Sequence, residues 1–414
     1  MNESLIVRNC VTADARGASS GYCDVVIRHG RIAEITDSGA GRSPDDSTRT
    51  IDAAGAFVVP GLVNMHEHLS FAHPRSSESA AIEGESALDR VLRMAGSARR
   101  GLGAGVTTMR LVGEFEAFEQ AVRDAIRRGH LAGPRIFTAG APLTYSGGHG
   151  ASVGAQESGS PERARELAEN EVAAGADLLK LMISSGIAGG NVEVVRMSFD
   201  EFDAIRSVAR ANGLRMAVHT AAVEHPIIEA LVDDGVDTLE HCYAAPDSIL
   251  DRCVAREMLL VLTPLVTQHE SYFRAIGLPE EMIAEISAES DRHWGVVETA
   301  VAKGARLALG TDFHSHLALE GTWAVVRELE LYAEAGLRGA DLLAVASRNG
   351  AEWLGIGDEV GLVEEGYIAD LLLLDGNPLE GAGAFRKLTR VVAEGVEHEV
   401  IPPLAPVPLK APVA

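Results

Sequence analysis

The sequence predicts an α/β protein: a (β/α)8 TIM barrel with a small β-sandwich domain formed by both chain ends. Three observations lead there. Between residues 60 and 356, apolar strand-like stretches alternate with amphipathic helical ones, giving eight strand–helix units over ~290 residues, the number that closes a parallel barrel. An open doubly wound sheet more often carries a Gly-rich phosphate turn after its first strand, and none is present. Residues 1–59 and 357–414 have a different texture, short alternating strands broken by turns.

The elements follow in order. Ser4–Asn9, Asp24–Arg28 and Arg31–Ile35 alternate as strands, with His29-Gly30 as a hairpin turn. Residues 39–48 are polar and read as a loop, and Ile51–Pro60 as a strand pair. The first barrel strand runs through Leu62-Val63 to His66 and His68, and a helix is expected over Ala87–Gly103. Strands at Val106–Val112 and Arg135–Ala139 flank an amphipathic helix from Phe115 that glycine ends at Gly129. Ser160-Pro161 is an N-cap followed by proline at the first helical position, opening a helix to Gly175. Leu178–Ile183 is a strand, and Ser198-Phe-Asp-Glu201 a capping box for the next helix. Strands are expected at Arg215–His219, Asp237–His241, Leu259–Thr263 and Arg306–Asp312, with helices at Pro226–Gly235, Pro246–Glu257, Pro279–Gly304, Thr322–Ala335 and Ala340–Leu354. Strands return at Gly361–Asp375 and Leu388–Gly395, and the proline-rich tail Pro402–Ala414 is expected to be extended or disordered.

Composition narrows the function. A hydrophobic fraction of 46% with 23% charged residues is that of a globular enzyme. The net charge of −24, without basic clusters, argues against nucleic acid or anionic membrane as partners. No apolar run reaches the ~18 residues that span a bilayer, and Met1–Cys10 lacks the pattern of a signal peptide. Cys10, Cys23, Cys242 and Cys253 are scattered without a CxxC, which fits a reducing cytoplasm. A cytoplasmic homo-oligomer acting on small molecules is expected. Only Lys180, Lys303, Lys387 and Lys410 are lysines among 36 basic residues, so Lys180 inside the apolar segment Leu178–Ile183 stands out.

Barrel active sites form at the carboxyl ends of the strands. His66 and His68, at i and i+2 on a strand, share a face, where a helix would splay them. Lys180, His219, His241 and Asp312 fall on four further strands, mostly at their carboxyl ends, and His149 follows the third strand in Ser146-Gly-Gly-His149. Each alone has an ordinary alternative: a satisfied core histidine, a helix-capping aspartate, a lysine snorkelling to the rim. Together they offer imidazole and carboxylate donors around one opening.

This set, in this strand order, resembles the amidohydrolase superfamily over nearly the whole chain. The Pro60-Gly61 lead-in and the closing segment Gly361–Pro378 carry the likeness too. Gly105-Val-Thr-Thr-Met-Arg110, Ser146–His149, Ala176–Met182 and Leu239-Glu-His241 make it most similar to the imidazolonepropionase-related branch, which holds Xaa-Pro dipeptidases and ochratoxin-type amide hydrolases. The resemblance implies a metal-dependent amidohydrolase that cleaves an amide or peptide bond in an N-acyl amino acid or dipeptide-like molecule. It implies two Zn2+ per chain. His66, His68, Lys180 and Asp312 would hold one, and Lys180, His219 and His241 the second. Lys180 would be N6-carboxylated by CO2, which arginine could not be. A hydroxide bridging the metals would attack, Asp312 would move the proton, and His149 would hydrogen-bond the carbonyl oxygen or a substrate carboxylate.

Tyr145, Arg110, Tyr243, His269 and His314 are candidate substrate contacts, with Gln268, Tyr272 and His316 on neighbouring loops. Arg110 reads equally as a buried structural partner. The chain departs from its relatives at Leu111, where an acidic residue is common, and at Ala221, where the dipeptidases carry a carboxylate-binding tyrosine. Glu224 sits off the spacing of a mononuclear deaminase. Alternatives remain a cyclic amide or imidazolone ring hydrolase, a deaminase, and a non-catalytic assembly protein on the same fold.

Overall fold

The computed structural model describes residues 4–40, 48–70, 85–114, 118–151, 154–187, 192–275 and 277–405. Most of the polar loop expected at 39–48, the first turn expected at Phe115 and the end of the proline-rich tail lie outside the described residues.

Both ends of the chain build one nine-stranded sheet. Its main path orders β15 (Val396–His398), β14 (Leu388–Ala393), β13 (Leu371–Leu374), β4 (Phe57–Pro60), β1 (Leu5–Asp14), β2 (Cys23–Arg28) and β3 (Arg31–Asp37). The turn between β2 and β3 needs two residues of positive φ, and His29 (52°) and Gly30 (77°) supply them. The expected long strand Gly361–Asp375 is regular only over Leu371–Leu374, and β15 was not anticipated.

The central part is parallel. β5 (Leu62–Glu67), β6 (Val106–Leu111) and β7 (Arg135–Thr138) form one sheet. A second contains β8 (Leu143–Thr144), β9 (Leu179–Met182), β10 (Met216–Thr220), β11 (Thr238–His241) and β12 (Leu260–Val261) in that order, with Gln156–Glu157 at its edge. Helices alternate with these strands: α1 Ala87–Gly103, α2 Phe118–Arg127, α3 Pro161–Ala174, α4 Phe199–Ala211, α5 Pro226–Asp234, α6 Asp247–Ala255, α7 Glu280–Ala302 and α8 Ala324–Glu334. The local signals act as expected. Ser160 caps α3 and Gly175 ends it in the left-handed region, and Ser198 and Glu201 close a reciprocal capping box on α4.

Strand alternation sorts side chains between two environments. Met216 and Val218 of β10, like Leu179 and Leu181 of β9 and Leu239 of β11, join the large apolar core that includes helix residues such as Leu167, Phe202 and Ile228. The alternate residues Lys180, His219 and Glu240 face the other way and are polar.

The expected strand Arg306–Asp312 is not a regular strand. It still runs between β12 and β5. Leu260 N–H donates to Arg306 O (2.9 Å) and Ala308 N–H to Leu260 O, while Met65 N–H donates to Leu309 O (2.8 Å) and Asp312 N–H to His66 O (2.8 Å). Gly310 permits this approach, because a Cβ there would lie 2.3 Å from Val261 and 2.9 Å from His66 Cβ. Asp312 then turns into the left-handed region (φ 52°), which ends the ladder. The closing helical stretch contains one π turn over Ala344–Arg348, where Ser347 Oγ donates to Gly61 O beneath β5.

Candidate active site

Six side chains singled out in the sequence gather at the strand ends, with different degrees of engagement. His66 and His68 share a face of β5, with ring centroids 5.4 Å apart. Their Nε2 atoms lie 3.3 and 3.1 Å from the same oxygen, Asp312 Oδ1. His66, His241 and Asp312 each offer a ligand atom, all within 4.8 Å of one another. His219 lies beside His241 at 4.5 Å between ring centroids, and its Nε2 contacts Ser185 O at 3.1 Å. His241 and Asp312 both hold positive φ (68° and 52°), as does Thr263 (49°), the hydroxyl partner of His241 Nδ1. Strained backbone of this kind persists only where surrounding structure enforces it, and functional sites are where it clusters.

Lys180 is the outlier in the set. It is 1% exposed, and its Nζ has no hydrogen-bond partner among the described residues. Burial lowers its pKa to about 8, against the opposing pull of Glu240 and Asp312. Burial likewise holds His219 and His241 well below the usual histidine range, so both are neutral donors. Burial alone would raise Asp312, but His66 and His68 outweigh it and keep the carboxylate ionised. Neutral imidazoles and an ionised carboxylate are the protonation states that metal ligation requires, and the lowered pKa of Lys180 brings its neutral amine within easier reach.

Several residues that hold the site were not singled out from sequence. Glu240 receives the His66 Nδ1 proton (2.7 Å) through Oε2 and pairs with Arg110 Nη2 (2.7 Å) through Oε1. That contact fixes the His66 tautomer and leaves Nε2 to face Asp312. Asn64 ties β5 to the last strand segment: its Oδ1 accepts from Thr311 N–H (3.2 Å) and its Nδ2 donates to Thr311 Oγ1 (3.0 Å). Glu67 accepts from Asn64 Nδ2 (2.7 Å) and Ser315 N–H (3.1 Å), and burial pushes its pKa up to about 7. Glu114 accepts Ser70 N–H (2.7 Å) and so anchors the chain just after His68. The available signal was polarity inside otherwise apolar strands, at Asn64 and Glu240.

Of the two readings of Arg110, its surroundings fit the buried structural partner: its side chain is fully buried, Nη1 donates to Thr238 Oγ1 (3.0 Å), Nε to Met65 O, and its face packs on Trp353 at 4.8 Å. The other loop candidates have the following neighbours. His149 is exposed at the mouth, its ring 4.6 Å from His219, and Gly186 leaves room for it. Tyr243 stacks on His241 at 5.0 Å. Tyr145 lines a cavity of about 550 Å³ with Ser146, Ser185, Arg196 and Glu201. His269 is buried with both ring nitrogens lacking hydrogen bonds, 3.6 Å from Glu320 Oε1. His314 stacks on His316 at 5.4 Å, both buried.

Parallel strands alternate with helices, and His66, His241 and Asp312 converge at their ends as a candidate site for a divalent metal. The chain belongs to the amidohydrolase family, whose model matches residues 57–401. It is a hydrolase acting on carbon–nitrogen bonds. Ochratoxinase of Aspergillus niger is 25% identical over 363 residues, covering 80% of this chain and 72% of that protein. Imidazolonepropionase of Salinispora arenicola (strain CNS-205) is 28% identical over 250 residues, 55% of this chain and 58% of that protein. In fold, a Xaa-Pro dipeptidase crystallised with methionine in its active site superposes with a TM-score of 0.84 at 24% identity, over 96% of this chain and all of that one.

Proposed function

We propose that this enzyme hydrolyses an amide or peptide bond in an N-acyl amino acid or dipeptide-like small molecule, at a site for two zinc ions. One observation carries the reading: His66, His241 and Asp312 place ligand atoms within 4.8 Å of one another, beside a buried Lys180 amine with no partner. His66, His68, Lys180 and Asp312 would hold one ion, and Lys180, His219 and His241 the other. Imidazole and carboxylate donors suit zinc. Lys180 fits as a shared ligand once N6-carboxylated: its neutral amine bonds the carbon of CO2, releases a proton to solvent, and becomes a carbamate anion with two oxygens. Its depressed basicity favours that neutral form. When bound, such ions lower the pKa of water and polarise a carbonyl oxygen.

The chain's own groups supply the proton path. Asp312 accepts the proton of the attacking water at Oδ1 and returns it to the leaving nitrogen. His149, at the mouth, hydrogen-bonds the carbonyl oxygen. Glu240 holds His66 in the tautomer whose Nε2 faces inward.

The bonds that carry β12 through residues 306–312 to β5 support closure of eight strands into a barrel over residues 60–356. The shared nine-stranded sheet supports a β-sandwich made from residues 1–59 and 357–414. A net charge of −24 supports small-molecule substrates rather than nucleic acid or anionic membrane. No helix among the described residues is long and apolar enough to cross a membrane. The reading keeps a cytoplasmic homo-oligomer, which light scattering tests.

The test is a screen of zinc-loaded protein against N-acyl amino acids, dipeptides and lactams. Release of a primary amine from an acyclic amide is expected. Turnover confined to lactams, or ammonia released from aminopurines, would move the enzyme to the ring-hydrolase or deaminase reading.

A further inference from the structure

The cavity of about 550 Å³ is lined by Tyr145, Ser146, Gly147, Gly159, Ser185, Arg196 and Glu201. It shares a wall with the active site: the Ser185 carbonyl that touches His219 Nε2 belongs to both. Tyr145 and Ser146 begin the loop that ends at His149. The segment carrying Arg196 folds back on β9, with Ser184 bridging Val195 and Arg196 N–H donating to Ile183 O (2.8 Å). Arg196 is therefore fixed in backbone at the lip of the candidate site.

The carboxylates on and beside this wall already have partners. Glu201 is already engaged, accepting from Ser158 Oγ (2.6 Å), Ser198 Oγ (2.6 Å) and Ser198 N–H (3.1 Å). Nearby Glu157 accepts from Gly147 N–H (2.6 Å). Arg196 is exposed, and among the described residues no carboxylate pairs with its guanidinium. The other arginine considered for substrate, Arg110, is sealed below the site by Glu240. Ala221, just past His219, is apolar and buried and offers no polar atom.

We propose that Arg196 forms a carboxylate subsite that selects substrates bearing a free carboxylate on the amine side of the scissile amide. A guanidinium presents paired N–H donors that match a carboxylate, and Ser146 adds a hydroxyl on the same wall. This contact presupposes the amide hydrolysis proposed above and names its substrate class: N-acyl amino acids and dipeptides rather than neutral amides.

The test compares N-acetyl-L-phenylalanine with N-phenethylacetamide, which lacks only the carboxylate, on zinc-loaded wild type, Arg196→Met and Arg196→Lys. The expected result is that wild type prefers the acid, and that Arg196→Met lowers the acid-to-neutral ratio of kcat/KM about 10- to 100-fold, through KM. Arg196→Lys should recover part of the ratio, since it keeps the charge without the fork. Arg196 has no carboxylate partner among the described residues to lose, so thermal melting of both variants should match wild type. Turnover of the acid with an unchanged ratio in Arg196→Met would overturn the subsite and leave amide hydrolysis standing. Turnover of neither amide by wild type would overturn the amide reading, and the subsite with it.

Discussion

Two buried basic residues, Arg110 and Lys180, sit on strands of two parallel sheets and meet different surroundings. Arg110 spends its guanidinium on Glu240, Thr238 and the Met65 carbonyl, and stacks on Trp353. Lys180 is equally buried, yet among the described residues its amine makes no hydrogen bond. A buried polar group left unpaired costs about 1–3 kcal/mol, more if charged. Satisfied contacts fit a structural role for Arg110, and their absence is consistent with the ligand role proposed for Lys180. Glu240 joins the two regions, bracing Arg110 with one oxygen and orienting His66 with the other.

The contrast can be broken by substitution. Lys180→Met should cost little or nothing in thermal stability, because it removes an orphaned amine and keeps the volume. Turnover should nonetheless fall by at least about 10³-fold, since the shared ligand is lost. A melt that drops sharply while turnover survives would reverse the assignment. Arg110→Met should do the opposite: about 3–5 kcal/mol of stability lost, because Glu240 is left as a buried, unpaired charge. Chemical denaturation measures it, and a cost below about 1 kcal/mol would contradict the pairing. Glu240→Gln lies between the two. It keeps the shape, weakens the hold on the His66 tautomer, and should lower zinc affinity about 10- to 100-fold, read by chelator competition.

A further test sharpens the comparison from outside the site. Glu119 is buried, with one oxygen accepting from Thr138 Oγ1 and the other unpaired. Burial, aided by nearby Glu114, raises its pKa to about 7. A carboxyl raised in the folded state favours folding at low pH, and that contribution is lost as pH rises from about 4.5 toward 7. Glu119→Gln should remove a slope of about 1.4 kcal/mol per pH unit over that window. An unchanged slope in denaturation curves at pH 5 and 7 would place the proton elsewhere. Glu119 also shows that an orphaned oxygen alone does not make a site. Lys180 differs because histidines and an aspartate surround it.

Much of this was legible in the sequence, for physical reasons. Helix ends were readable at Ser160, Gly175 and Ser198, because caps act within four residues. His66 and His68 shared a face because alternation is a local property of strands. What failed was non-local. Arg306–Asp312 looked like a strand by pattern, but Gly310 and the positive φ of Asp312 serve a close approach that the segment does not encode alone. Arg110 could not be assigned because its partner Glu240 lies 130 residues away. Arg196 was passed over because an arginine matters here through a shared cavity wall, which no local pattern reveals.

The most direct measurement of the central claim is the metal content of wild type and Lys180→Met after zinc loading in bicarbonate, by elemental analysis. Two ions per wild-type chain and a clear loss in the variant are expected. Fewer than one ion per wild-type chain, or equal content in both proteins, would contradict the role given to Lys180.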